Sequence, residues 1–225
     1  MSVNPLPHPS PVIRILRLMV RFAPTGRKFF SRTILLRKTL TPAQRIVLPE
    51  GLRWVLAGPT EVAWIDAHPE ATSRAAYQRR LERGDTCVCL IKGTEIVAYR
   101  WAACSTGCLF CGFKSREIRF LALKPNQAFL YDFYVYEAHR RHGYGTLLLQ
   151  LMFEILKNKG INEVFCLVDP NNHRVLRVEL RLGFEAVRMM YGIRIRQWGA
   201  MFFGPQPDPR LQRWVGKFST HAGIH

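Results

Sequence analysis

The residues best placed to do chemistry lie together in Arg140-Arg141-His142-Gly143-Tyr144-Gly145. Glycines at this spacing let the backbone curl so that successive N–H groups turn inward. A helix expected to start directly after them adds its free N–H groups and the positive end of its dipole. With arginines beside it, such a loop suits a pyrophosphate. It is not the Gly-x-Gly-x-x-Gly of a dinucleotide fold, and the Lys-Ser/Thr of a nucleotide-binding loop is absent. His139 and His142 flank the arginines and add positive potential. Neither has a sequence neighbour that would make it a base.

Just upstream, Leu130-Tyr131-Asp132-Phe133-Tyr134-Val135 carries one carboxylate among aromatics. Asp132 could orient or deprotonate an amine; it could equally pair with an arginine in so basic a chain. Tyr131, Tyr134 and Tyr136 could line a cleft or fill the core of a central strand. Cys104, Cys108 and Cys111, read as a loop, and Cys87 with Cys89 on one side of a hairpin, invite comparison with zinc sites. Structural zinc takes four tetrahedral ligands, nothing in the spacing fixes the fourth, and cysteine is also a small core residue, so no metal is expected.

The elements that must hold these residues follow from periodicity. A strand is expected at 52–56, helices at 61–67 and 73–83, and a hairpin of 86–91 and 95–102 around Lys92-Gly93-Thr94. An aromatic strand over 128–136 runs into the loop. A Leu-rich helix over 146–159 follows, with Gly160 positioned as a left-handed cap. A strand at 164–168, a helix at 173–182 ended by Gly183, and strands at 185–195 and 197–203 complete an α+β domain with a mixed sheet.

Val135, Arg140-x-x-Gly143-x-Gly145, the long helix, the next strand, Asn172 and Leu182-Gly183-Phe184 together resemble the GNAT superfamily of acyl-CoA-dependent N-acyltransferases. The resemblance runs in order and spacing from about residue 86 to about 195. It implies a mixed, mostly antiparallel central sheet flanked by helices, with acetyl-CoA or another acyl-CoA as co-substrate. It further implies that the backbone of Arg141, His142, Gly143, Tyr144, Gly145 and Thr146, with Arg140 beside it, holds the pyrophosphate. Val135, Tyr136 and Glu137 would bond the pantetheine, and Asn172, also a natural helix N-cap, would touch the cofactor. The family reaction is direct attack of an amine on the thioester, with the Val135 N–H stabilising the oxyanion. The Asp-Phe-aromatic-Val run is similar to that of small-amine and diamine acetyltransferases, which makes Asp132 the catalytic candidate. Two positions depart from the pattern: Glu179 stands where the usual tyrosine acid would be, and Leu167 where one subgroup places a glutamate base. Glu179 is expected as an exposed helix residue paired with an arginine.

The 225 residues are 48% hydrophobic, enough for one sizeable core. Residues 1–48 are read as a basic extension, 49–205 as the acyltransferase domain and 206–225 as a tail. Within the extension, Val12 to Phe22 spaces Arg14, Arg17 and Arg21 as on a basic amphipathic helix, which could lie on an anionic membrane or pack on its own domain. Apolar runs are interrupted well before the roughly 18 residues of a membrane span, and no signal-peptide centre is visible. The expectation is a cytoplasmic protein with reduced thiols, whose basic surface would allow peripheral contact with an anionic membrane. A net charge of +17 attracts nucleic acid, anionic lipid or phosphorylated ligands without choosing among them. The competing reading is therefore a GNAT-like module that binds nucleic acid or membrane and turns over weakly or not at all.

Overall fold

A computed structural model describes residues 30–41, 46–67, 74–104, 108–113, 116–121, 123–195 and 198–203. The expected amphipathic helix at 12–22 and the tail at 206–225 lie outside them. The strands are β1 (Phe30–Thr39), β2 (Leu52–Leu56), β3 (Thr86–Lys92), β4 (Glu95–Ala103), β5 (Cys108–Phe113), β6 (Arg116–Leu121), β7 (Gln127–Val135), β8 (Glu163–Val168), β9 (Glu185–Ile195) and β10 (Trp198–Phe203). The helices are α1 (Pro59–Ala67), α2 (Arg74–Glu82), α3 (Tyr144–Asn158) and α4 (His173–Arg181).

Eight strands form one sheet in the order β10-β9-β1-β8-β7-β4-β3-β2, and β5 with β6 forms a separate ribbon. Every neighbouring pair of the large sheet is antiparallel except β7 and β8. This is the mixed, mostly antiparallel sheet flanked by helices that the sequence led us to expect. The reading of residues 1–48 as an extension is not compatible with β1, which sits inside the sheet. It pairs with β8 through Ile34↔Val168 and with β9 through Phe30↔Ile193. Its alternating Ile34 and Leu36 are buried in the core beside Val164 and Cys166. The run of Arg and Lys around these residues masked a strand, because the exposed Arg32 and Arg37 bracket the buried run of Thr33, Ile34, Leu35 and Leu36.

Two apolar layers cover the sheet. On one face α3 buries Leu148, Leu149, Leu151, Met152 and Leu156, the i, i+3, i+4 stripe of a core-facing helix, together with Leu176 of α4. On the other face Val62 and Ile65 of α1 and Tyr77 of α2 meet Cys87, Tyr99, Trp101, Phe129 and Tyr131. Each fully buried leucine of α3 contributes about 2 kcal/mol by burial. Helix α3 ends as Gly160 predicted: at φ +81° its N–H bonds Lys157 O, and Ile161 N–H bonds Leu156 O, the two bonds of a left-handed cap.

Candidate active site

The parallel pair β7–β8 is joined over Gln127↔Glu163 to Leu130↔Cys166 and no further. Beyond Leu130 the two strands part, opening a fork at the sheet's centre. Two peculiarities of β7 shape that fork. Opposite β4 the register shifts between Tyr99↔Tyr134 and Trp101↔Tyr131, so Asp132 and Phe133 together face the single residue Arg100. This is a β-bulge, and Asp132 takes its positive φ of 45°. The extra residue reverses side-chain parity: Ala128 and Leu130 face the α3 layer, and after the bulge Phe133 and Val135 do so again.

The second peculiarity concerns the backbone of Val135. Tyr136 N–H bonds Val97 O at 3.1 Å, and Val135 stands opposite Ala98. In an antiparallel ladder the intervening residue turns its own N–H and C=O to the other edge. For Val135 that edge is the fork. Its carbonyl is taken by Arg140 Nε at 3.2 Å, and its N–H points into the gap left by β8.

The loop that ends β7 is a short 3-10 turn, Glu137–His139, then Arg140 to Gly143. Arg141 and Gly143 both adopt left-handed backbone, at φ +69° and +76°. Gly143 is the N-cap of α3 and has no side chain to offer, so the first-turn N–H groups are left for an outside acceptor. A Cβ added at Gly143 would meet nothing within 4 Å, so this glycine is required by its φ rather than by crowding. Gly145 is the reverse: an added Cβ would stand 2.9 Å from Phe133 Cζ. Arg140 and Arg141 flank this cradle, and His142 stacks on Tyr144 with centroids 5.5 Å apart. Glu137, on the exposed surface, lies 3.6 Å from Arg140 Nη1.

Because β7 and β8 run parallel and each is followed by a helix, the N-termini of α3 and α4 emerge at the same end of the sheet. Asn172 caps α4, its side chain accepting from Val175 N–H at 3.3 Å. The capping role expected of it is therefore present, on the same edge as the cradle.

Asp132 meets an arginine that sequence reasoning did not single out. Arg80 of α2 is buried, its Nη1 lies 2.5 Å from Asp132 Oδ2, and its guanidinium carbon lies 4.8, 5.3 and 4.9 Å from the ring centroids of Tyr77, Trp101 and Tyr131. Rings of this kind stabilise a cation by their quadrupoles, which offsets the loss of water. Tyr131 donates to Asp85, which Arg83 also holds at 2.5 Å. Burial, with Asp85 adding to it, pushes the Tyr131 hydroxyl far above its ordinary value, and burial does the same to Tyr99. Tyr131 and Tyr136 are thus core residues, while Tyr134 is half-buried at the fork.

Glu179 differs from its expectation. It does pair with an arginine, but inside the protein: Arg100 Nη1 is 2.7 Å away and Glu179 is fully buried. Burial raises its carboxyl above the usual range, and Arg100 opposes that rise. The helix pattern concealed this because the partner lies 79 positions away in sequence. Leu167 is half-buried against the α1–α2 layer.

The cysteine cluster is not a loop. Cys108 and Cys111 belong to strand β5, and their side chains lie outside the described set, as Cys104 follows the end of β4. Cys87 and Cys89 do share one side of β3, with sulfurs 3.9 Å apart in the core. Among the described residues no group of three or more His, Cys, Asp or Glu side chains could hold a metal ion, and no helix is long and apolar enough to cross a membrane.

Comparison with known proteins agrees with this geometry. Residues 51–184 match the model of the Acetyltransferase (GNAT) family. The matched span holds the bulge, fork and cradle and leaves out β1, β9 and β10. Among solved structures, a tandem GNAT protein from the clavulanic acid biosynthesis pathway is similar at 20% identity and TM-score 0.56, covering 92% of this chain and 62% of its own. A GCN5-related N-acetyltransferase from Sphaerobacter thermophilus is similar at 18% identity and TM-score 0.55, covering 80% and 54%. A glucosamine N-acetyltransferase region of a fungal multi-domain β-N-acetylglucosaminidase is similar at 11% identity and TM-score 0.57, covering 89% and 25%. This chain thus spans less than two thirds of the length of each of these three structures. These similarities establish the fold. No curated protein matches the sequence.

Proposed function

Because the chain belongs to the GNAT acetyltransferase family, we propose that it transfers an acetyl group from acetyl-CoA to a primary amine by direct attack. One observation carries the reading: the β7–β8 fork opens at Leu130/Cys166 and leads straight to the left-handed cradle at Arg141 and Gly143. A long thioester with a pyrophosphate at one end fits a slot that ends on a helix N-terminus.

In this reading the N–H groups of residues 141–146 and the side chain of Arg140 hold the pyrophosphate. The pantetheine runs along the end of β7 from Val135 to Glu137, and Asn172 touches the cofactor from the start of α4. The acceptor approaches from the aromatic layer beneath α1 and α2. Asp132 then holds the amine through Oδ1 while Arg80 fixes Oδ2. As the amine nitrogen bonds the thioester carbon, negative charge gathers on the carbonyl oxygen. The Val135 N–H aimed into the fork meets it, a contribution of about 3 kcal/mol for one such donor. The C–S bond then breaks, the sulfur leaves with the electron pair, and Asp132 Oδ1 takes the proton that the nitrogen loses. Glu179 is sealed in its pair with Arg100, so water supplies the proton that the sulfur takes up.

The test is binding and turnover on the same preparation. Thermal shift against acyl-CoAs of increasing length should give the largest rise with acetyl-CoA, since a ligand selective for the folded state stabilises it by mass action. Release of free thiol in the presence of an amine panel should follow. Absence of any shift with every acyl-CoA would overturn the proposal, and binding without thiol release from any amine would remove its catalytic half.

A further inference from the structure

We infer that Arg100 and Glu179 form a buried positioning pair that sets where the first turn of α3, and with it the phosphate cradle, stands. The inference rests on the acyl-CoA reading above and assigns that site two residues which touch no substrate.

Arg100 lies in β4 opposite the bulge of β7. Its guanidinium reaches three other elements at once. Nη1 donates to Glu179 Oε1 of α4 at 2.7 Å, its charge acts on the buried Cys166 thiol of β8, and its carbon stands 4.9 Å from the centre of the Phe133 ring on β7. The Phe133 ring then ends against Gly145, where a Cβ would come within 2.9 Å of Cζ. The contacts form one line: Glu179, Arg100, Phe133, Gly145. Gly145 is the second residue of α3, so the far end of that line is the turn whose N–H groups face the phosphate.

Two features argue that this line positions the turn instead of merely filling space. Both charged side chains are buried, at 2% and 0% exposure, so neither can slide without losing the other. Their hydrogen bonding is also incomplete, for Arg100 Nε and Glu179 Oε2 have no partner among the described residues. An apolar pair of equal volume would avoid that desolvation and commonly packs as stably. What an apolar pair lacks is a directional bond that fixes the plane on which Phe133 rests.

Two variants of the full chain separate positioning from packing. Glu179→Gln leaves the guanidinium charge unbalanced, while Arg100→Met with Glu179→Met replaces the pair by apolar side chains. Acetyl-CoA affinity is read by calorimetry well below each melting temperature, and KM is compared with kcat. The double variant should melt near the wild type yet bind acetyl-CoA about tenfold more weakly, the size of coupling usual between residues in contact. KM should rise with kcat nearly unchanged. Wild-type affinity in the double variant would overturn the inference. Should neither variant fold, Phe133→Leu carries the test: it must weaken acetyl-CoA binding by a similar factor, and unchanged affinity there overturns the inference. Failure of the wild-type chain itself to bind acetyl-CoA would bring down the acyl-CoA reading, and this inference with it.

Discussion

Arg80 Nη1 and Asp132 Oδ2 are 2.5 Å apart, with the arginine stacked among Tyr77, Trp101 and Tyr131 and the aspartate at the strained corner of a bulge. The pair ties α2 to the one point of the sheet where β7 changes parity. A carboxylate held this way is fixed in direction, as the proposed role of Asp132 toward an amine requires.

Asp132→Asn should lower kcat/KM for the acceptor by about 10²-fold, within the usual range for a group that handles the reacting proton or its donor. Acetyl-CoA affinity should stay within about twofold of wild type. Arg80→Met should instead lower stability, by about 3 kcal/mol, because removing one partner strands the other. Steady-state kinetics and denaturant melts of the two variants check this; an unchanged kcat/KM in Asp132→Asn across pH removes Asp132 from the mechanism.

The two glycines of the cradle should fail for different reasons. Gly143→Ala costs about 1 kcal/mol through its left-handed backbone, and Gly143→Asn, which tolerates that conformation, costs less. Gly143→Val should be the worst of the three. Gly145→Ala should be relieved by Phe133→Leu, which withdraws the ring carbon now 2.9 Å from the added methyl. Melting temperatures across the series test both statements.

Asn172→Ala should destabilise α4 by about 1 kcal/mol, the value of a lost N-cap, whereas Asn172→Ser keeps the cap. A further loss of acetyl-CoA affinity in both variants would assign Asn172 a cofactor contact besides its capping bond. Equal affinity in wild type and the serine variant would leave it a cap alone.

Burial holds Glu179 above its ordinary 4.5, so its proton is bound more tightly in the folded chain than in the unfolded one. Stability from this group is therefore greatest below about pH 4.5 and declines as pH rises through the folded value. The melting temperature of wild type relative to Glu179→Gln should fall over that window. A pH-independent difference contradicts it.

Thiol labelling checks the layers themselves. Burial raises the thiols of Cys87 and Cys166 well above the usual value and that of the half-buried Cys104 less severely. Brief alkylation at pH 8, mapped by mass spectrometry, should modify Cys104 before either of the others. Early labelling of Cys166 would mean that the α3–α4 layer opens readily.

Local patterns made much of this protein legible from its sequence. The cradle was visible because glycine spacing and a Leu-rich helix are features of neighbouring residues, as were the hairpin around Gly93 and the caps at Gly160 and Gly183. Tertiary structure alone decided the rest, and in each case the deciding interaction was distant in the chain. Phe30–Thr39 became an inner strand because it pairs with β8 and β9 on its two edges and buries Ile34, Leu35 and Leu36, though its composition read as a basic extension. Asp132 acquired Arg80, and Glu179 acquired Arg100, because a bulge and a helix docking brought charges from remote segments into one low-dielectric interior. Sequence spacing specifies which backbone can bend around a phosphate; which arginine neutralises a buried carboxylate depends on packing that only the folded sheet provides.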